Sequence, residues 1–119
     1  MGGTDESGRI DYVEIPARDI AATKGFFQAL FGWEFQDYGP DYTCFRDGRL
    51  SGGFYRSERR STVDGGSVLV VFRGDDLEAL AGRVRRLGGT ISREIFSFPG
   101  GRRFHFLDPS GDEFAVWAP

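Results

Sequence analysis

The chain repeats itself. Asp19-Ile20 stands thirteen residues before Gly32, and Asp76-Leu77 stands the same distance before Gly89, so two similar helical stretches recur with a period of 57 residues. Before the first, residues 11–15 alternate in polarity as a half-buried strand does, and Pro16 is expected to end the pairing. Asp19 is a good N-cap, and Ile20, Phe26, Phe27, Leu30 and Phe31 make an apolar stripe that Gly32 closes. Gly25 weakens this helix by about 1 kcal/mol relative to Ala. Short β-type segments follow at 34–38, 42–46 and 50–55, separated by Gly-Pro and Asp-Gly turns. The second copy opens with a strand at 68–72. Its helix is expected to be capped by Asp75, with Glu78 three residues on, and to carry Leu77, Leu80, Ala81, Val84 and Leu87 on one face. Arg83, Arg85 and Arg86 suit its last turn, Gly88-Gly89 ends it, and strands follow at 90–96, 102–107 and 113–117.

Each half is therefore β-α-β-β-β, too little to bury its own apolar face, so the halves must pack together. The expected fold class is α+β: two βαβββ modules, at about 9–55 and 67–118, in one domain spanning 9–118. The polar stretch 56–66 is the connector, and 1–8 is expected to be flexible. A length of 119 residues suits one core. With 39% hydrophobic and 28% charged residues and twelve Phe, the chain is neither disordered nor membrane-embedded. The run 68–72 is too short to cross a bilayer and the N-terminus lacks signal-peptide features, which makes the cytoplasm the expected location. Cys44 is the single cysteine, excluding an intrachain disulfide and a cysteine metal cluster. A net charge of −3, with Arg56, Arg59 and Arg60 placed in a solvated loop, gives no electrostatic reason to expect nucleic acid as a partner.

In the first module, Val13-Glu14-Ile15-Pro16-Ala17-Arg18-Asp19-Ile20, Phe26-Phe27 and Leu30-Phe31-Gly32-Trp33 resemble the vicinal oxygen chelate superfamily of glyoxalases, bleomycin-resistance proteins and extradiol dioxygenases. In the second, Asp76-Leu77, Gly88-Gly89 and Phe106-Leu107-Asp108-Pro109-Ser110-Gly111-Asp112-Glu113 match the same pattern. The resemblance implies strands curled into a cup-shaped, partly open mixed sheet with helices outside. It also implies a homodimer, and a ligand in the cup. Enzymes of the superfamily hold a divalent metal there with His and Glu, and the ion chelates two neighbouring oxygens of the substrate.

The same resemblance locates those ligands. The first, usually His, lies seven residues before the Asp that starts the helix, which here is Tyr12. The last, usually Glu, lies seven residues after the Asp of the Asp-Pro-x-Gly turn, which here is Ala115. The opening strand of module two, 68–72, offers neither His nor Glu. A catalytic ion needs about three protein ligands and an open position, and Glu14 and His105 are one short. No metal and no cofactor are therefore expected. Strand alternation puts Tyr12 with Glu14, and Arg103 with His105, on the faces opposite the apolar residues. Ala115 and Trp117 share that cup face, together with Tyr42, Cys44 and Arg46.

The expected function is small-molecule binding of the bleomycin-resistance type, without metal. Trp33, Tyr42, Phe54, Tyr55 and Trp117 are candidate stacking surfaces; Glu14, Arg103 and His105, with Tyr12 and Ala115 beside them, line the ligand site. Glu14 and His105 are also the candidate catalytic pair. His105 can be a structural group, a ligand contact or a proton carrier; Glu14 can be a general base or simply an acid paired with Arg103 or Arg46. Two alternatives stay open. One is a lyase, isomerase or dioxygenase using Zn, Ni, Mn or Fe; the other is an interaction module whose cup is closed by side chains. The Asp108-x-Ser110-x-Asp112 spacing resembles part of a calcium loop but is expected to be a hairpin turn.

Overall fold

A computed structural model describes residues 7–119; the expectation of a flexible segment over 1–8 falls mainly outside the described residues. The elements run β1 (Tyr12–Ala17), α1 (Ile20–Phe31), β2 (Glu34–Asp37), β3 (Tyr42–Arg46), β4 (Ser51–Arg56), β5 (Val70–Arg73), α2 (Leu77–Arg86), β6 (Thr90–Phe98), β7 (Gly101–Leu107) and β8 (Glu113–Ala118). The βαβββ order thus appears twice. Each module forms its own four-stranded mixed sheet, β1-β4-β3-β2 and β5-β8-β7-β6, in which only the β1/β4 and β5/β8 pairs are parallel.

Two local expectations are corrected. Pro16 does not end β1, which continues to Ala17 with Pro16 beside Tyr55. β1 is an edge strand, where a missing N–H costs no ladder bond. The cap of α2 is Asp76, not Asp75: its Oδ1 accepts from the Ala79 N–H at 3.0 Å, as Asp19 Oδ1 accepts from the Ala22 N–H in α1. Asp76 is the residue one repeat period after Asp19, so the symmetry of the chain outranks the capping-box spacing. α1 ends at Gly32, whose φ of 72° is the left-handed conformation that glycine adopts without steric cost.

One aromatic core joins the modules. Phe27 of α1 stacks on Trp33 at 4.6 Å between centroids and meets Phe54 at 5.7 Å, then crosses to module two to meet Phe114 at 5.3 Å and Phe72 at 6.3 Å. Phe26 reaches Phe106 and Phe31 reaches Phe72. These contacts bury Phe27, Phe54, Phe104 and Phe106 completely, each worth roughly 1.5–3 kcal/mol of transfer free energy. A polar rivet lies alongside. The Ser110 Oγ of the second module's Asp108–Asp112 turn accepts from the Arg18 N–H and shares a hydrogen bond with Thr23 Oγ1, both at 3.0 Å. The connector docks on the same turn: the Ser61 N–H donates to Asp112 Oδ1 at 2.8 Å, and the Glu113 N–H donates to the Ser61 carbonyl at 2.7 Å.

With the apolar faces spent on this core, the opposite faces of the two sheets carry the polar and remaining aromatic side chains. On the first sheet that open face carries Tyr12, Glu14, Tyr42, Cys44, Arg46 and Tyr55; on the second it carries Arg73, Arg93, Arg103, His105, Ala115 and Trp117.

Candidate functional site

The second sheet holds a buried histidine between two charged side chains. His105 on β7 is 5% exposed, and its Nδ1 lies 2.8 Å from Glu113 Oε2 while its Nε2 lies 2.9 Å from an Arg103 guanidinium nitrogen, with Arg103 Nε also in reach at 3.3 Å. Arginine can only donate, so Nε2 must accept, the proton sits on Nδ1, and Nδ1–H donates to Glu113. Both ring nitrogens are committed. Glu113 also accepts from the Val63 N–H at 3.0 Å. Burial works against its charge, but that bond, with those from His105 and Ser92, holds its carboxyl below the ordinary value. The guanidinium that caps the histidine is itself supported by Phe96: Arg103 lies 5.7 Å and Arg93 3.7 Å from the ring centroid.

Glu113, Arg93 and Phe96 were not among the residues the sequence singled out. Glu113 had a signal. A turn over Asp108–Asp112 pairs Leu107 with Glu113, which puts Glu113 on the face of His105, two residues from Leu107 along β7. Phe96 had none, because β6 shifts register between Arg93 and Phe96 and the shift re-aims the ring.

The first sheet holds a tyrosine chain. Tyr42 donates to Glu14 Oε2 at 2.9 Å, so the 2.5 Å bond between the Tyr12 and Tyr42 hydroxyls must run from Tyr12 to Tyr42. Burial, and then the bonds with Cys44 and Tyr42, push the Tyr12 phenol well above its ordinary pKa; burial, with Glu14 opposing a second negative charge, raises that of Tyr42. Both hydroxyls therefore stay protonated donors at neutral pH. Gly53 makes the arrangement fit: a Cβ there would collide with the Tyr42 hydroxyl and stand 2.8 Å from that of Tyr12. Glu14 pairs with neither Arg103 nor Arg46; the latter makes a long, exposed contact with Glu34 at 3.7 Å.

The candidate residues divide by location. Tyr12, Glu14, Tyr42 and Tyr55 come together on the first sheet, and Arg103, His105, Ala115 and Trp117 on the second. Trp33 and Phe54 do neither. Trp33 is 7% exposed, stacked between Phe27 and Phe45, and Phe54 is fully buried, so both are core side chains. Glu14 and Tyr55 line a cleft of about 700 Å³ between the modules, whose far wall includes Arg59, Arg60 and Glu113. Tyr12 lines a neighbouring hollow of about 410 Å³, and Trp117 a third cavity of about 830 Å³.

A family model described as the glyoxalase/bleomycin resistance protein/dioxygenase superfamily matches residues 9–116. The chain belongs to this superfamily. The anthracycline biosynthesis protein DauV of Streptomyces sp. (strain C5) is 30% identical over 122 residues, which cover 95% of this chain and 42% of DauV, so the chain spans about two fifths of that curated relative. Solved structures share the fold. A glyoxalase-related enzyme from Fulvimarina pelagi superposes with a TM-score of 0.77 at 16% identity over 94% of this chain and 88% of that one. A superfamily enzyme from Burkholderia phytofirmans PsJN gives 0.77 at 22%, covering 92% and 98%. The fosfomycin resistance protein FosX of Listeria monocytogenes gives 0.75 at 17%, covering 92% of each chain.

The residues present do not fit the divalent ion of the superfamily's enzymes. Tyr12 is tied to Tyr42, and Ala115, fully buried, stands opposite His105 with only a methyl group. The histidine's coordinating nitrogen faces a guanidinium. Among the described residues, no three of His, Cys, Asp and Glu gather in a metal-holding group.

Proposed function

We propose that this chain binds a small organic molecule, aromatic or polar, on its open sheet faces without a resident catalytic metal, and that it does so as a cytoplasmic homodimer. The observation that carries the reading is the Glu113–His105–Arg103 chain, in which a fixed cation takes the direction a metal would need and leaves its other N–H groups for ligand oxygens. Tyrosine and tryptophan surfaces beside polar anchors are what organic ligands use. Kinship with a protein of anthracycline biosynthesis supports an organic ligand.

The two open faces also suit a second copy. Two sheet faces left open on one chain favour the pairing of each with the other in a partner copy across a two-fold axis. The radius of gyration, 15.0 Å, exceeds the roughly 13.5 Å of a compact chain this long, as faces left open would produce.

Elemental analysis of protein purified without chelator tests the metal reading: the expected content is far below one ion per chain, and near-stoichiometric Zn, Ni, Mn or Fe would overturn it. A thermal-shift screen should find stabilising aromatic compounds but no stabilising divalent ion, since a ligand of the native state alone raises its stability. Light scattering should give a dimer, and a monomer at the same concentration would overturn the dimer reading.

A further inference from the structure

Glu14 accepts a hydrogen bond from the Tyr42 hydroxyl, and among the described residues no Lys or Arg nitrogen lies within 4 Å of its carboxylate. Around it stand three tyrosines. Tyr42 and Tyr55 face each other across the β3/β4 ladder, and Tyr12 reaches in from β1 to bond Tyr42. Because donation runs from Tyr12 to Tyr42 to Glu14, the relay ends on the carboxylate, whose remaining lone pairs are its open acceptors.

From this geometry we infer that the Glu14 cluster is a cation site, and that the ligand of the cleft carries a protonated amine. The inference rests on the small-molecule reading above and names the ligand class. An ammonium beside Glu14 and Tyr55, the two of these groups that line the cleft, gains cation–π attraction from the Tyr55 ring and a charge-assisted bond to Glu14. The cleft that Glu14 and Tyr55 line also carries Arg59, Arg60 and Glu113, and neither arginine forms an ion pair with Glu14. The approximately 700 Å³ volume suits a molecule with one or two rings.

Benzylamine, benzyl alcohol and benzoate, titrated into the full chain and followed by amide NMR, test this. The three probes share a ring and differ in charge. Benzylamine should move the amide signals of Gly53 and Tyr55 and bind at least about tenfold more tightly than benzyl alcohol, and Glu14→Gln should remove that advantage. Tyr42→Phe, which keeps the ring, should weaken benzylamine by less. Equal binding of amine and alcohol, or amine binding unchanged in Glu14→Gln, overturns the inference. Benzoate binding that is lost in Arg103→Met, with no amine binding, overturns it and leaves the small-molecule reading standing. Failure of every probe to perturb either open face overturns both.

Discussion

Raising the pH from 5.5 to 8 should destabilise this protein through the Asp108–Asp112 turn. Asp108 is 4% exposed and Asp112 fully buried, and each leaves one carboxylate oxygen, Oδ2, without a hydrogen-bond partner. Burial, and then repulsion from Asp112, push the Asp108 carboxyl up to about 7, despite the N–H bonds that Ser110 and Asp112 give its Oδ1. Burial likewise raises Asp112 to about 6, against the pull of the Ser61 N–H and Arg60. An acid whose folded pKa is raised above its unfolded value of 3.8 holds its proton longer in the native state. Stability is then fully present below about 4 and is lost as pH rises through about 7, at about 1.4 kcal/mol per pH unit per group. From 5.5 to 7 Asp108 alone contributes a loss of about 1.6 kcal/mol, which lowers the melting temperature by roughly 5–8 °C for a domain of this size. The window stays above the range where Glu113, Asp37 and Glu78, all held below their ordinary values, would begin to protonate. Urea unfolding at a series of pH values, on the wild type and on Asp108→Asn, measures the effect. The variant keeps an Oδ1 acceptor but cannot ionise, so its slope should be shallower by about one proton. A wild-type stability that is flat or rising across the window, or an unchanged slope in Asp108→Asn, would refute the argument that the buried turn holds a proton.

Three further outcomes are expected. Phe27→Ala should cost about 3–5 kcal/mol in denaturant unfolding, because it opens a cavity where the two modules meet; a loss below about 1 kcal/mol would show that Phe27 does not join them. Gly53→Ala should displace the Tyr42 hydroxyl, and the ultraviolet absorbance of phenolate should then appear nearer pH 10 than in the wild type; an unaltered titration would mean the relay does not depend on Gly53. Thr23→Val should cost about 1–2 kcal/mol by removing one side of the bond to Ser110, with no change in secondary structure by circular dichroism; a neutral effect would show that the polar rivet contributes nothing.

Much of this fold was legible from local patterning. Asp19 and Gly32 cap a helix because side-chain oxygens and left-handed glycines satisfy orphan backbone groups wherever they occur. Alternation along β1, β3, β7 and β8 sorted the apolar and open faces because successive side chains point to opposite sides of any strand. Where local rules misled, symmetry or position in the sheet decided: Asp76 capped α2 in place of Asp75, and Pro16 stayed in β1 because β1 lies at an edge.

The repeat, read alone, determined two βαβββ modules, one shared core and which residues face out of it. It also determined that Ala115 offers no carboxylate, since a residue's chemistry is fixed by its identity. Only the tertiary structure decided which outward groups meet. Tyr12, Tyr42 and Glu14 come from strands up to thirty residues apart and converge over a glycine. Arg103 turns back onto His105, while Trp33 and Phe54, ligand surfaces by composition, are consumed by the core. The physical reason is that hydrogen bonds and ring contacts act over a few ångströms. Backbone periodicity says which face a side chain takes, and only packing says what it touches there.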